Sequence, residues 1–304
     1  MNVGARRVTN TSQAGIFALG TASHAYLEFD IEVGVEARDL VVGITSLREP
    51  RTTMGGVNLV AGFRPELWRA VAPGDSQDGV EGFNHDLVGF GDFKMPATQH
   101  DAVLWISGSA YDVVFDVARQ AMAALQGIAK VAEETSSWPY HHDLDLTGFI
   151  DGTENPNLIE APDIALVPAS SRGAGGSILL LQKWIHDAAA WESQPVARQE
   201  KVIGRTKPDS VELQDRPSDS HAARTDQDRF GKIFRRNMPY GTVTEHGTMF
   251  VGFSADQGRL VAMLKNMAGM TDGVRDALTY FARPLTGSYY VIPSIDGLRQ
   301  FQTL

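Results

Sequence analysis

The feature that most restricts the fold is an internal echo. Ala102–Ser107 (AVLWIS) reads as a strand, and Ser109-x-x-Asp112 then opens a helix with apolar positions at Val114, Val117, Ala121 and Leu125. Thr248–Gly252 (TMFVG) reads as a second strand, and Ser254-x-x-Gln257 opens a helix carrying Leu260, Leu264 and Met267. Each serine is expected to cap free amides at its helix start, and the apolar spacing gives each helix one buried stripe. The two serines stand 145 residues apart, almost half of a 304-residue chain. An earlier strand precedes each unit, HAYLEFDI in the first half and SILLLQKWIHDAAAW (with its helix) in the second. Further strand-like sequence follows each, the second time as GSYYVIPS. Two βαββαβ units, each an antiparallel sheet with helices on one face, satisfy that pattern; a chance echo of two capped helices is the plain alternative.

The predicted organisation is therefore α+β, with an N-terminal unit over 14–132, a connector over 133–174 and a C-terminal unit over 175–300. The polar stretch Met1–Gln13 is expected to be a loose arm. The connector is rich in Gly, Pro, Asn and Asp, and long ordered loops inside a folded chain tend to carry function.

Composition removes whole classes of chemistry. There is no cysteine, which excludes disulfides, thiolate metal sites, iron–sulfur clusters, thiolate-ligated or covalently attached haem, and cysteine nucleophiles. The charge balance of 27 basic against 37 acidic residues, a net −10, argues against a nucleic-acid partner. Apolar runs such as Ile178–Leu181 and Ala102–Ile106 are strand-sized, far below the ~20 residues that span a bilayer. Arg6-Arg7 is not followed by an apolar segment, so an export signal is rejected and a cytoplasmic protein is expected.

Four segments could hold chemistry. In GFIDGTENP (Gly148–Pro156), Asp151, Glu154 and Asn155 share one tight loop behind apolar Phe149 and Ile150. The loop could be a plain surface turn; pinned by apolar neighbours, it could instead hold a carboxylate away from water. A phosphatase aspartyl nucleophile would stand at position 149, which is Phe, so that reading fails. SDSHAART centres on His221, and a lone histidine is more often structural than a ligand. GKIFRRNMPYG puts Arg235 and Arg236 on opposite strand faces, one inward and one towards water, with Asn237 on the side of Arg235. An inward Arg-x-Asn pair offers a fixed cation and an amide to a peroxide, carboxylate or phosphate. GGSILLLQKWIHD, with the later VIGRTK, reads as a buried strand ending in polar residues.

Taken together and in order, GFIDGTENP, GGSILLLQKWIHD, QEKVIGRTK, SHAART, IFRRNMPYGT and LTGSYYVIPS resemble the bacterial dye-decolourising peroxidases of the shorter subgroup, over roughly residues 14–300. The resemblance implies a duplicated ferredoxin-like fold of the dimeric α/β-barrel type and one non-covalent haem b in the C-terminal half. It implies a haem-dependent peroxidase that reduces hydrogen peroxide and oxidises dyes or phenolics through a ferryl intermediate. Carried over residue by residue, His221 is the iron ligand, and Asp151, Arg235 and Asn237 lie on the peroxide side.

Within the same resemblance, Asp276 is the acid behind His221, although Tyr280 stands where related chains can carry an acid. Arg205 and Lys207 meet the propionates, and Glu154 and Asn155 border the cofactor. Electron entry from bulky donors could use Trp184, Trp191, Tyr240, Tyr289 or Tyr290, with core packing the commoner role of such residues. A haem carrier with little turnover is the competing function; it would share His221 but has no need of an Arg235–Asp151 pair. A homo-oligomer is expected. Packaging inside an encapsulin shell is not, because FQTL carries no Gly/Ser/Leu-rich extension.

Overall fold

Strands that are covered on both faces lose the polar half of their alternation, and the apolar runs noted above are of this kind. In the computed structural model, which describes residues 10–47 and 56–302, β5 (Ala102–Gly108) is buried along its whole length. Ala102, Leu104 and Ile106 point to a helical layer, and Val103 and Trp105 point the other way. The strands are β1 (Ser23–Ile31), β2 (Val57–Phe63), the short hairpin β3 (Leu87–Val88) and β4 (Lys94–Met95), β5, β6 (Ala129–Ser137), β7 (Ser177–His186), β8 (Phe234–Arg235), β9 (Met238–Gly241), β10 (His246–Ser254), β11 (Ala282–Pro284) and β12 (Ser288–Ile292). The helices are α1 (Ala37–Ser46), α2 (Pro65–Val71), α3 (Tyr111–Ala124), α4 (Ala161–Ala165), α5 (Ala188–Glu192), α6 (Val196–Ile203), α7 (His221–Arg224), α8 (Gln227–Phe230), α9 (Gln257–Met267) and α10 (Ile295–Arg299).

Apart from the β3–β4 hairpin, the strands form one antiparallel sheet that closes on itself. Its order runs β12-β2-β5-β1-β6-β9-β10-β7, and β7 pairs again with β12. The two halves meet at narrow seams, Val291↔Phe63 on one side and Ser137↔Tyr240 on the other. Counting β8 with β9 and β11 with β12 as broken single strands, each half has its strands in the order fourth, first, third, second. The barrel interior packs Tyr26, Trp105, Leu179, Leu181, Val251 and Phe253. Outside it, α1 and α3 cover the first half with Leu40, Ile44, Val114, Val117, Ala121 and Leu125. Over the second half α9 packs Leu260, Met263, Leu264 and Met267 near Ile178, Leu180 and Trp184 of β7. The apolar stripes expected on α3 and α9 are thus buried.

Several local expectations are corrected. Helix α3 begins at Tyr111, so Ala110 occupies the cap position without a capping side chain, Ser109 lies outside it, and Asp112 Oδ1 accepts from Val113 N at 2.9 Å. Helix α9 is capped by Asp256, whose carboxylate accepts from Gly258 N at 2.7 Å. A charged acceptor suits a helix N-terminus, while Ser254 Oγ is taken up within the turn by Asp256. Strand β6 runs to Ser137, past the expected start of the connector; it exposes Glu134, pairs Glu133 with Lys183 and buries Thr135 and Ser137 against β1.

Residues 1–9 of the expected arm lie outside the described residues, and 10–13 are not loose. The Gln13 carboxamide is buried, donating to Ala61 O (2.8 Å) and Pro293 O (2.9 Å) and accepting from Ala61 N (2.7 Å). Neither adjacent arginine faces water. Arg236 is only 4 % exposed, donates to the carbonyls of Ile16 (3.0 Å) and Ala18 (2.7 Å), and stacks over Trp105. Arg236 points into the barrel and the half-buried Arg235 lines a cavity, so neither lies on an open surface. Among the described residues no helix is long and apolar enough to cross a membrane.

Candidate active site

Alternation along β7 and β10 gives the site its floor. Leu180, Gln182, Trp184 and His186, with Thr248 and Phe250, face away from the barrel interior and line a cavity covered by α9 and α7. The cavity opens to solvent on one side, and its walls are mostly apolar: Leu180, Trp184, Phe250, Leu260, Met263 and Leu264. Around this apolar space stand Asp145, Asp151, Glu154, Arg205, His221, Arg235 and Asn237. Asp145, Asp151, Arg235 and Asn237 also line a smaller adjoining cavity that His221 does not border, so these four side chains gather at one end of the space.

His221 opens α7, whose start is capped by Ser220. The buried Arg224 guanidinium fixes this short helix by donating to Asn266 O (2.6 Å) at the end of α9 and to Asp272 (2.8 Å). His221 Nδ1 lies 2.7 Å from Asp276 Oδ2. A carboxylate only accepts, so Nδ1 carries the hydrogen and Nε2 is the nitrogen left for the cavity. Asp276 has no exposure and uses its other oxygen to cap the turn that follows, accepting from Leu278 N at 2.9 Å. Burial pulls the imidazole pKa down, but the charge and hydrogen bond of Asp276 outweigh it and hold His221 above its usual value.

The GFIDG loop is one arm of a tight hairpin, bridged at Leu144↔Ile150. Gly148 and Gly152 have φ of +83° and +79°, a region that strains any side chain, which explains both glycines of the motif. Phe149 anchors the loop beside Trp191 and Val202, and Trp191 Nε1 donates to Thr147 O at 3.0 Å. Asp151 N donates to Asp143 O and its Oδ1 accepts from Gly152 N, both at 2.7 Å, which leaves Oδ2 for the cavity. Arg235 ends β8, where the ladder to β10 is interrupted before β9 resumes it in the same register. Its Nε is buried and has no hydrogen-bond partner among the described residues. Asn237 Oδ1 accepts from Val251 N (3.1 Å), which leaves its amide N–H groups free to donate.

The remaining expected residues divide. Arg205 lines the cavity, paired with Glu154 and donating to Ser210 O at 2.8 Å. Lys207 does not line it: its Nζ lies over the Phe149 ring and donates to Gln199 Oε1 at 2.6 Å. Asn155 borders only the smaller cavity, and its carboxamide bonds the Arg235 main chain, accepting from N and donating to O at 2.8 Å each. Trp184, Trp191, Tyr240, Tyr289 and Tyr290 are all buried.

Two residues escaped the sequence reading. Asp145 is pushed up to about 6 by burial and by the Asp151 charge, against hydrogen bonds from Thr147. The Asp-x-Thr spacing of a side-chain-capped turn was its available signal. His186, at the end of β7, meets Thr248 Oγ1 at 3.2 Å and is held down to about 4 by burial and by His246.

Residues 142–297 match the family model "Dyp-type peroxidase, C-terminal". A dye-decolorizing peroxidase of Rhodococcus erythropolis is 33 % identical over 294 residues, 91 % of this chain and 85 % of that protein. A DypB variant from Rhodococcus jostii RHA1, solved in complex with heme, superposes with a TM-score of 0.85 at 30 % identity, covering 96 % of this chain and 99 % of that one. A dye-decolorizing protein from V. cholerae gives 0.83 at 30 % identity over 95 % and 99 %. The chain belongs to the dye-decolorizing peroxidase family.

Proposed function

We propose that the large cavity seats one non-covalent haem b and that the protein is a peroxidase, reducing hydrogen peroxide with electrons from dyes, phenolics or similar aromatic donors. One observation carries this reading. An imidazole backed by a buried carboxylate presents Nε2 to the cavity that also receives a guanidinium whose Nε has no partner. Apolar walls from α9 and β7 suit the porphyrin faces.

When bound, the porphyrin iron supplies the redox chemistry; the protein supplies ligation, charge and proton positions. His221 Nε2 would hold the iron. Its Nδ1–H donates to Asp276, which fixes the ring and raises its basicity. Asp151 Oδ2 would hold and move a proton of hydrogen peroxide, a general acid–base role. Arg235 would offset negative charge developing on a peroxide oxygen, and Asn237 would donate from its amide N–H groups. Arg205 is the cation for a propionate, with Glu154 holding it; Lys207 is too occupied behind Phe149 for that role.

The haem carrier is disfavoured because Asp151 and Arg235 meet at one end of the cavity, which storage alone does not require. The matched strand order supports two ferredoxin-like units, the first ending near Ser137 and the second beginning near Ser177, with the active-site loop between them. A cytoplasmic homo-oligomer is part of the same proposal. Peroxide-dependent bleaching of an anthraquinone dye by the haem-loaded protein tests the reading. Haem transfer to an apo-globin without bleaching would instead establish the carrier.

A further inference from the structure

Arg235 is held from an unexpected direction. Strand β8 has only two residues, and its inner edge pairs with β10 at Gly252 and Phe253. The next inward amide, Arg236 N, donates to Val251 O at 2.8 Å. The outward N–H and C=O of Arg235 therefore need another partner. Both find it in the carboxamide of Asn155, 80 residues earlier, whose Oδ1 accepts from Arg235 N and whose Nδ2 donates to Arg235 O, each at 2.8 Å. One side chain thus imitates a neighbouring strand for a single residue.

The other end of this clamp leads to Asp151. Asn155 N donates to Gly152 O at 2.9 Å, and Gly152 N donates to Asp151 Oδ1 at 2.7 Å. An unbroken series of short hydrogen bonds runs from the Asp151 carboxylate, through the turn, to the main chain that carries the guanidinium. The Arg235 side chain has no such restraint at Nε, so its aim depends on where its backbone is held.

We propose that Asn155 is a positioning residue: its two hydrogen bonds to the Arg235 main chain fix the guanidinium and the Asp151 carboxylate relative to one another at one end of the cavity. It acts through Arg235 rather than on the cofactor, and this rests on the peroxidase reading given above.

The test uses the full-length, haem-loaded protein and two independent readouts. The first is amide exchange by mass spectrometry over residues 233–237. Asn155→Ala should release the Arg235 amide roughly tenfold faster, the weight of one lost hydrogen bond; unchanged exchange overturns the clamp. The second is the rate of hydrogen peroxide consumption in a double-mutant cycle with Arg235→Leu. Asn155→Ala alone should lose about 10- to 100-fold, as expected when a reacting group is slightly misplaced. Added to Arg235→Leu it should cost less than about twofold, because both act through one guanidinium.

Additive losses, or lost haem with an unchanged rate per haem, overturn the proposal. Asn155→Asp keeps the acceptor for Arg235 N but sets a second acceptor against Arg235 O, so it should restore only part of the exchange protection; it carries the test should the alanine variant not fold. A parent protein that ignores peroxide would remove the peroxidase reading, and the exchange comparison would still decide the clamp.

Discussion

His221 Nδ1 and Asp276 Oδ2 stand 2.7 Å apart, and the aspartate is sealed from solvent at the start of the turn Ala277–Tyr280. The pair sets which imidazole nitrogen faces the cavity and how basic it is. Asp276→Asn preserves the shape and removes the charge. It should lower haem affinity or peroxide reactivity about 10- to 100-fold, the usual cost of losing a partner behind a metal-ligating histidine. Hemin titration with stopped-flow mixing measures both, and parent-like values for both would deny Asp276 this role.

Arg235→Leu should leave haem content intact and slow peroxide consumption roughly 10²–10³-fold, the scale for removing a donor aimed at developing charge. Rapid mixing of the loaded protein with hydrogen peroxide gives the rate. A change below about threefold would move the burden to Asp151.

Asp145 supplies a pH test. Its carboxyl is raised from the ordinary range to about 6, so the fold binds this proton more tightly than the unfolded chain does. Its charge therefore opposes folding at neutral pH, and that penalty fades as pH falls through about 6 towards 4. Asp145→Asn should raise Tm at pH 7 on the order of 2–4 °C, with a smaller gain at pH 5. Calorimetry at the two pH values checks it, and an equal or larger gain at pH 5 would contradict the sign.

Leu264 faces the cavity from α9. Leu264→Trp should fill the cavity and block hemin uptake while the far-UV spectrum and the barrel persist. Undiminished uptake with one hemin per chain would place the cofactor elsewhere.

Local periodicity revealed much of this architecture. Val114, Val117 and Ala121 on α3 with Leu125 at its C-cap, and Leu260, Leu264 and Met267 on α9, are buried as their spacing requires. What escaped depends on partners remote in sequence. Gln13 is buried because Ala61 and Pro293 receive it, and Arg236 because carbonyls near the N-terminus do. Asn155 looked like a cofactor contact in its loop, yet its amide is spent on the Arg235 backbone. Motif order brought Asp151, His221 and Arg235 together as candidates; only the fold shows that Asp145 joins them and that Lys207 does not. Cap positions failed for a local reason, since a shift of one or two residues moves a serine from cap to turn.

Hemin reconstitution tests the central claim most directly. The protein is loaded with hemin and desalted, and its visible spectrum is taken before and after one equivalent of hydrogen peroxide. The parent should keep a Soret band that shifts on peroxide addition, and His221→Ala should lose most of the band. A parent that desalts colourless, or a His221→Ala protein with the parent's spectrum, would contradict an imidazole-held iron porphyrin in this cavity.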